Sequence, residues 1–298
     1  MQSDTLTCVA CHAPYAATPE DRADLVLTPL TQRMACADMC PECRAEAMQK
    51  PLTRLLTTSN PKAAKGEGRG YLTHILHLAP ARLSGFNVCP MATMGCESAC
   101  LNTAGRGGIM KPGCSTNSIQ RRRIIRTRQY FTRRGEFMAR IVKDIENGIK
   151  LGRKHGLTSV FRLNGTSDVR WEHEPVSRGG VAYGNVMLAF PDVQFYDYTK
   201  LANRKDLPAN YHVTFSLADG NAEQAFNAMR NGLNIAAVFA PRLPAMFMGA
   251  PVVDGDVTDL RFLDPEGVVV GLTAKGAAKR DASGFVQYVD TDVEGIAS

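Results

Sequence analysis

Tyr71-Leu72-Thr73-His74-Ile75-Leu76-His77-Leu78 reads as a buried β-strand, and it leads into Phe86-Asn87-Val88-Cys89-Pro90-Met91-Ala92-Thr93-Met94-Gly95-Cys96-Glu97-Ser98-Ala99-Cys100. The cysteines stand at C-x6-C-x3-C spacing. Iron–sulfur clusters take cysteine thiolates, usually four. Three thiolates from one loop after a strand suit a cluster with one iron left open, by the same logic as an open catalytic zinc position. Cys114, in Lys111-Pro112-Gly113-Cys114, is a candidate fourth ligand that would close the cluster. Zinc held by the three loop cysteines with Cys114, His74 or His77 is the competing reading, because soft thiolates suit both metals. His74 and His77 differ by three on a strand and point to opposite faces, so both cannot easily serve one ion.

Downstream, strand-like and helix-like segments alternate. A helix is expected from Ser118 to Lys154, with Ile124, Phe131, Met138, Ile141, Val142, Ile145 and Ile149 at helical spacing. Further strands are expected at Thr158–Leu163, Val193–Tyr198, Tyr211–Leu217, Leu233–Phe239 and Val268–Thr273. A helix falls at Asn221–Asn231, and a short one near Val181–Leu188. This alternation predicts an α/β fold: a partial (βα)6-type barrel, or a mostly parallel sheet with outer helices.

Upstream, residues 51–70 read as a turn-rich, basic linker without an apolar face. Residues 1–50 hold Cys8-Val9-Ala10-Cys11 and Cys40-Pro41-Glu42-Cys43, two C-x2-C pairs separated by 28 residues. Two such knuckles complete a four-thiolate zinc site. Cys36 or His12 is an alternative ligand. The domain reading is therefore a small zinc-binding module (1–50), a linker (51–70) and a βα catalytic-type domain (71–298).

A chain of 298 residues with 44% hydrophobic and 21% charged residues has the composition of a globular protein. Its net charge of +6 permits a polyanionic partner without requiring one. No stretch approaches the ~20 apolar residues of a membrane span, and Met1-Gln2-Ser3-Asp4 lacks the start of a signal peptide. A cytoplasmic location is expected, where nine cysteines are better read as metal ligands than as disulfides.

Ligands of parallel βα folds bind at the carboxyl ends of the strands. Polar residues gather there: Arg162-Leu163-Asn164-Gly165-Thr166-Ser167-Asp168, Tyr196-Asp197-Tyr198-Thr199-Lys200, Thr214-Phe215-Ser216 and Thr273-Ala274-Lys275. A polar residue at a strand end is usually a cap or turn. The convergence with the cysteine loop favours Asp168, Ser216 and Lys275 as functional.

Region 71–280 resembles the radical S-adenosylmethionine enzymes, although their usual spacing is C-x3-C-x2-C. The resemblance implies a [4Fe–4S] cluster on Cys89, Cys96 and Cys100, with S-adenosylmethionine chelating the open iron. It implies that Gly165 and Asp168 bind the methionine amino group, that Ser216 touches the ribose or carboxylate, and that Asn234 begins a strand flanking the adenine. Asn87-Val88-Cys89-Pro90, Leu101-Asn102-Thr103-Ala104-Gly105-Arg106-Gly107 and Arg162–Asp168 also look like the phage gene product 88 family, which brings no particular activity with it.

Arg121-Arg122-Arg123-Ile124-Ile125-Arg126-Thr127-Arg128 opens the expected long helix. Cations there oppose the macrodipole, so an anionic partner would explain Arg121, Arg122, Arg123 and Arg126, and a solvated helix face is the plain alternative. Gly105-Arg106-Gly107-Gly108 lacks the Lys-Ser/Thr of a P-loop. Asp254-Gly255-Asp256 with Asp259 reads as a turn rather than a cation site, and Trp171 reads as packing. The residues together predict an iron–sulfur enzyme of radical S-adenosylmethionine type with an N-terminal zinc, acting on nucleotide or nucleic acid and needing a reductant. The alternative is a non-catalytic, zinc-stabilised nucleic-acid-binding protein.

Overall fold

A computed structural model describes residues 5–8, 13–16, 40–42, 45, 49–58, 61–103, 105–109 and 116–289. In chain order the elements are β1 (Thr5–Thr7), β2 (Pro14–Ala16), β3 (Leu56–Thr57), α1 (Pro61–Glu67), β4 (Tyr71–Leu76), α2 (Met94–Ser98), α3 (Ser118–Thr132), α4 (Arg134–Lys154), β5 (Thr158–Arg162), β6 (Val176–Arg178), β7 (Val181–Tyr183), α5 (Val186–Ala189), β8 (Phe195–Thr199), β9 (Tyr211–Ser216), α6 (Ala222–Arg230), β10 (Ile235–Ala240), β11 (Met246–Phe247), β12 (Ala250–Asp254), β13 (Val269–Thr273) and β14 (Val286–Tyr288).

One large sheet runs in the order β11-β12-β13-β10-β9-β8-β5-β4-β3. Its interior pairs are parallel, and only the flanking β3–β4 and β11–β12 pairs are antiparallel. Phe239 on β10 pairs with Thr273 on one side and Gln287 on the other, so β14 takes over the edge of β10 that β9 leaves after Ser216. β3 and β11 end the sheet, which does not close into a barrel.

Side chains alternate across the strands with a period of two. Phe161, Phe195, Val213, Phe215, Ile235 and Ala237 face a layer containing α4 and α6, where Phe137, Met138, Ile141, Ile145, Ala225 and Ala228 are buried. Val160, Tyr196, Ala236 and Val270 face the other way, with Leu260 packed against Val160 and Tyr196. The helix layer lies close: a Cβ on Gly148 of α4 would sit 3.0 Å from the rings of His74 and Phe161.

Three expectations need correction. The helix expected over Ser118–Lys154 is two helices, broken at Arg133 (φ −133°, ψ 48°). Gly135 is a poor helix former at that point, and the bend lets Gln129 and Arg133 both donate to the Lys50 carbonyl at 2.9 Å. Residues 51–70 are not a bare linker. Leu55 and Leu56 are core residues, β3 extends the sheet, and α1 packs on β4. Near Val181–Leu188 the chain forms the β6–β7 hairpin before the short α5. Among the described residues, no helix is long and apolar enough to cross a membrane.

Candidate metal and cofactor site at the carboxyl edge

Because β4, β5, β8 and β9 are parallel, their carboxyl ends open on one edge, and the cysteine loop folds over it. The loop is tied down strand by strand. Asp168 N–H donates to Val88 O (2.7 Å), Cys89 N–H to Asn87 Oδ1 (2.9 Å), and the Cys89 thiol lies 3.8 Å from Thr166 O. Thr93 caps α2 by accepting from Cys96 N–H (3.2 Å). Asp219, just past β9, accepts from Thr93 Oγ1 and from Gly95 N–H. A side chain at Gly95 would overlap the Asp219 carboxylate and the Ser283 hydroxyl, so glycine is required for this close approach.

Cys89, Cys96 and Cys100 carry free thiols. Burial pushes the Cys89 thiol up to about 12, and the nearby Cys100, Asp168 and Cys96 add to the rise. Burial likewise raises Cys100, with Cys96 adding, while the Asn102 N–H, Arg123 and Lys200 act in the opposite sense. The three half-buried thiols thus act on one another electrostatically, a thiolate at one disfavouring a thiolate at the next. A metal cation removes that repulsion, because coordination deprotonates a thiol outright.

Among the described residues, no three His, Cys, Asp or Glu side chains stand close enough to hold a metal ion. A single zinc with 2.3 Å bonds needs sulfurs about 3.8 Å apart. Cluster ligands each bind a different iron, so they stand farther apart. The three half-buried cysteines are soft donors of the type a cluster takes, and the described residues do not form a single-ion site. His74 is engaged elsewhere, stacked on Phe161 and bonded to Ser159 Oγ at 3.2 Å, with burial lowering it to about 4. Cys114 lies outside the described residues, as do Cys11, Cys36, Cys43 and His12 of the expected N-terminal site. Cys8 and Cys40 are buried.

Asp168 faces this neighbourhood but is already well occupied. Thr199 Oγ1 donates to Oδ1 (2.8 Å), Lys200 N–H donates to Oδ2 (2.7 Å), and Arg204 lies 3.7 Å away. Burial raises its pKa against those contacts. Ser216 accepts from Lys200 Nζ at 2.9 Å, and the Lys200 charge acts to lower the Cys100 thiol. Gly165 is accounted for by packing: its N–H donates to Leu76 O (2.9 Å), and a Cβ there would lie 2.6 Å from the same oxygen. Asn234 is not brought into the site. It precedes β10 at the opposite edge of the sheet, donating to Pro265 O (2.7 Å) and accepting from Val268 N–H (3.1 Å).

The arginine run divides. Arg121 and Arg122 are exposed. Arg123 turns inward, donating to Asn102 Oδ1 at 2.6 Å, and Arg126 donates to Arg54 O at 3.0 Å. Lys200 and Asp219 were given no role by sequence. Lys200 had one signal, being the first residue past a strand whose end is polar. Asp219 had none, since its partners are 124 and 126 residues away.

The remaining motifs are structural. Asn117 Nδ2 donates to the carbonyls of Arg106, Gly107 and Ile109, so carbonyls converge at the glycine run instead of phosphate-binding N–H groups. Asp256 pairs with Lys275 (2.7 Å) and Asp259 with Arg162 (2.9 Å), which confirms a turn and draws Lys275 away from the thiols. Trp171 is buried and donates to Asn164 Oδ1 (3.0 Å).

Residues 51–288, from just before β3 to the end of β14, match the family described as gene product 88. The chain belongs to the gene product 88 family. The match begins at the described strand that joins the sheet, so residues 51–70 travel with the βα body. No curated protein and no solved structure matches the chain.

Proposed function

We propose that this gene product 88 protein is an iron–sulfur enzyme of the radical S-adenosylmethionine type, acting on nucleotide or nucleic acid. The observation that carries the reading is the meeting of three free thiols with Asp168, Lys200 and Ser216 at one carboxyl edge. An open parallel sheet with α4 and α6 on one face supports a partial (βα)6 arrangement in which the other face holds the cofactor. Cys89, Cys96 and Cys100 would hold the [4Fe–4S] cluster, and Arg123 and Lys200 would offset its negative charge. Lys200, already on Ser216, is the natural partner for a carboxylate. Asp168 would receive an ammonium group through the acceptor capacity that Thr199 and Lys200 leave over. When bound and reduced, the cofactor pair supplies a 5′-deoxyadenosyl radical, and the chain's part is to position and shield it. Cys8, Cys11, Cys40 and Cys43 would bind a structural zinc. The exposed Arg121 and Arg122 favour a second reading, a nucleic-acid-binding module without catalysis.

Anaerobic reconstitution, followed by iron, sulfide and zinc analysis and a reductive assay for 5′-deoxyadenosine, tests this. The expected result is iron and sulfide that vanish in the Cys89/Cys96/Cys100→Ala variant, zinc that remains, and cofactor cleavage by the native chain. A colourless protein that holds only zinc and binds nucleic acid with steep salt dependence would overturn it in favour of the second reading.

A further inference from the structure

Arg123, Arg126 and His77 lie where α3 meets the exit of β4, a junction tied by Ala79 N–H donating to Thr127 Oγ1 at 2.8 Å, and none has an acidic partner among the described residues. Among the described residues, no carboxylate pairs with Arg123 or Arg126, whereas the half-buried Arg162 and the buried Arg204 and Arg261 have Asp259, Glu172 and Asp264. Asp144, whose charge acts on Arg126, is taken up by Arg140 and by the N–H groups of Leu55 and Leu56. Arg123 and Arg126 instead donate to neutral oxygens of Asn102 and Arg54. His77 follows β4 and packs over Gly165, with no hydrogen-bond partner among the described residues. Burial and the neighbouring Arg122 and Arg123 pull Arg126 down to about 10. Burial, Arg123, Arg162 and Arg126 pull His77 down to about 3, so its imidazole is neutral at pH 7. All three are half-buried and so reachable from solvent, and like charges gathered without a counter-ion repel one another. The group borders the cysteine loop, since Arg123 also faces Cys100.

We propose that Arg123, Arg126 and His77 form the subsite that holds the terminal phosphate of the substrate, making the substrate a phosphomonoester. This deepens the function proposed above and rests on it for what happens to the substrate, but not for the binding itself. A terminal phosphate carries close to two negative charges near neutrality, which matches two guanidinium groups whose planar forks suit phosphate oxygens. An internal phosphodiester carries one, so two inward arginines fit a chain end or a mononucleotide better than a polymer backbone. The exposed Arg121 and Arg122 stand outside this subsite.

The test is calorimetric titration of the full chain with ribose 5-phosphate. Binding is expected, and Arg123→Gln or Arg126→Gln should weaken it about tenfold or more. Arg126→Lys, which keeps the charge and loses the fork, should fall between. Lys150→Gln removes the same charge from the exposed side of α4 and should change affinity less than about twofold. Circular dichroism confirms folding, and the lysine variant keeps the question answerable if a glutamine variant does not fold. Equal losses in Lys150→Gln, displacement of ribose 5-phosphate by S-adenosylmethionine, or equally arginine-dependent binding of an oligonucleotide lacking a terminal phosphate would each overturn the subsite. Phosphate binding that persists in Cys89/Cys96/Cys100→Ala while the native chain takes up no iron would sink the cofactor reading and leave the subsite standing.

Discussion

Phe161, Phe195, Val213 and Phe215 project from neighbouring strands into the helix layer, whereas Arg162, Tyr196 and Tyr198 project from alternate positions on the other face. On the helix side, contact is aromatic and aliphatic and reaches Trp171 and Tyr130. On the other side, each polar group has one defined partner: Arg162 with Asp259, Tyr198 with Asp259, Tyr196 with Thr73. The same strands thus carry a continuous apolar face toward the helices and a mixed face, with Val160, Ala236 and Val270 among the polar groups, on the other side. Among the described residues, Arg123 and Arg126 toward the carboxyl edge have neutral oxygens in place of a carboxylate partner, and His77 has no hydrogen-bond partner. The comparison teaches where to look for function: at the edge where charges gather without partners, not where they are well paired.

The sharpest break of this contrast is by truncation. Phe161→Ala should cost about 3–5 kcal/mol by chemical denaturation, and Tyr196→Phe on the polar face about 1 kcal/mol. Equal costs would mean that the polar face is a second core. Asp168→Ala should cost about 2 kcal/mol, because it takes the acceptor from Thr199 Oγ1 and the Lys200 N–H, while Arg204 keeps Glu172. A stability within 0.5 kcal/mol of native would free Asp168 of its structural duty and leave ligand binding as its only role.

A pH series sharpens the comparison further. Asp197 lies on the helix side, accepting from Asn164 N–H (2.7 Å) and Tyr211 OH (2.9 Å), and burial pushes it up to about 7. The folded chain holds a proton there that the unfolded chain releases near pH 4. Its contribution to stability is therefore fully present below about pH 4 and is lost as pH rises through 7. Asp197→Asn should remove that slope, so the stability difference between variant and native chain should move in the variant's favour by up to about 1.4 kcal/mol per pH unit across this window. A difference independent of pH would place Asp197 ionised throughout. The smallest effect is expected at the loop: Asp219→Ala should cost only about 1 kcal/mol, as for a lost helix cap, yet speed alkylation of Cys96. Unchanged alkylation would show that Asp219 does not position the cysteine helix.

Much of this was readable beforehand, for physical reasons. β4, β5, β8, β9, β10 and β13 are apolar runs with polar exits, and buried parallel strands write that pattern directly. β3 and β14, at two and three residues, are too short to carry a period. The break at Arg133 depends on the distant Lys50 carbonyl. The cysteine spacing and the polar strand ends at Asp168 and Ser216 are visible in the sequence, and the parallel strands carry those ends to one edge. Asn234 stands at the amino end of a parallel strand, the edge opposite the carboxyl ends where the cysteine loop lies. The strand begins at Ile235, leaving Asn234 before its amino end, where it ties to Pro265 and Val268. The inward turn of Arg123 and Arg126 against the outward turn of Arg121 and Arg122 follows from how α3 lies over the loop, which no local pattern encodes.

The most direct test of the central claim is electron paramagnetic resonance of the anaerobically reconstituted, dithionite-reduced chain, recorded with and without S-adenosylmethionine. The account predicts a reduced-cluster signal that changes shape when S-adenosylmethionine is added and is missing from Cys89/Cys96/Cys100→Ala. A signal that ignores S-adenosylmethionine, or an iron-free chain with no signal, would contradict it.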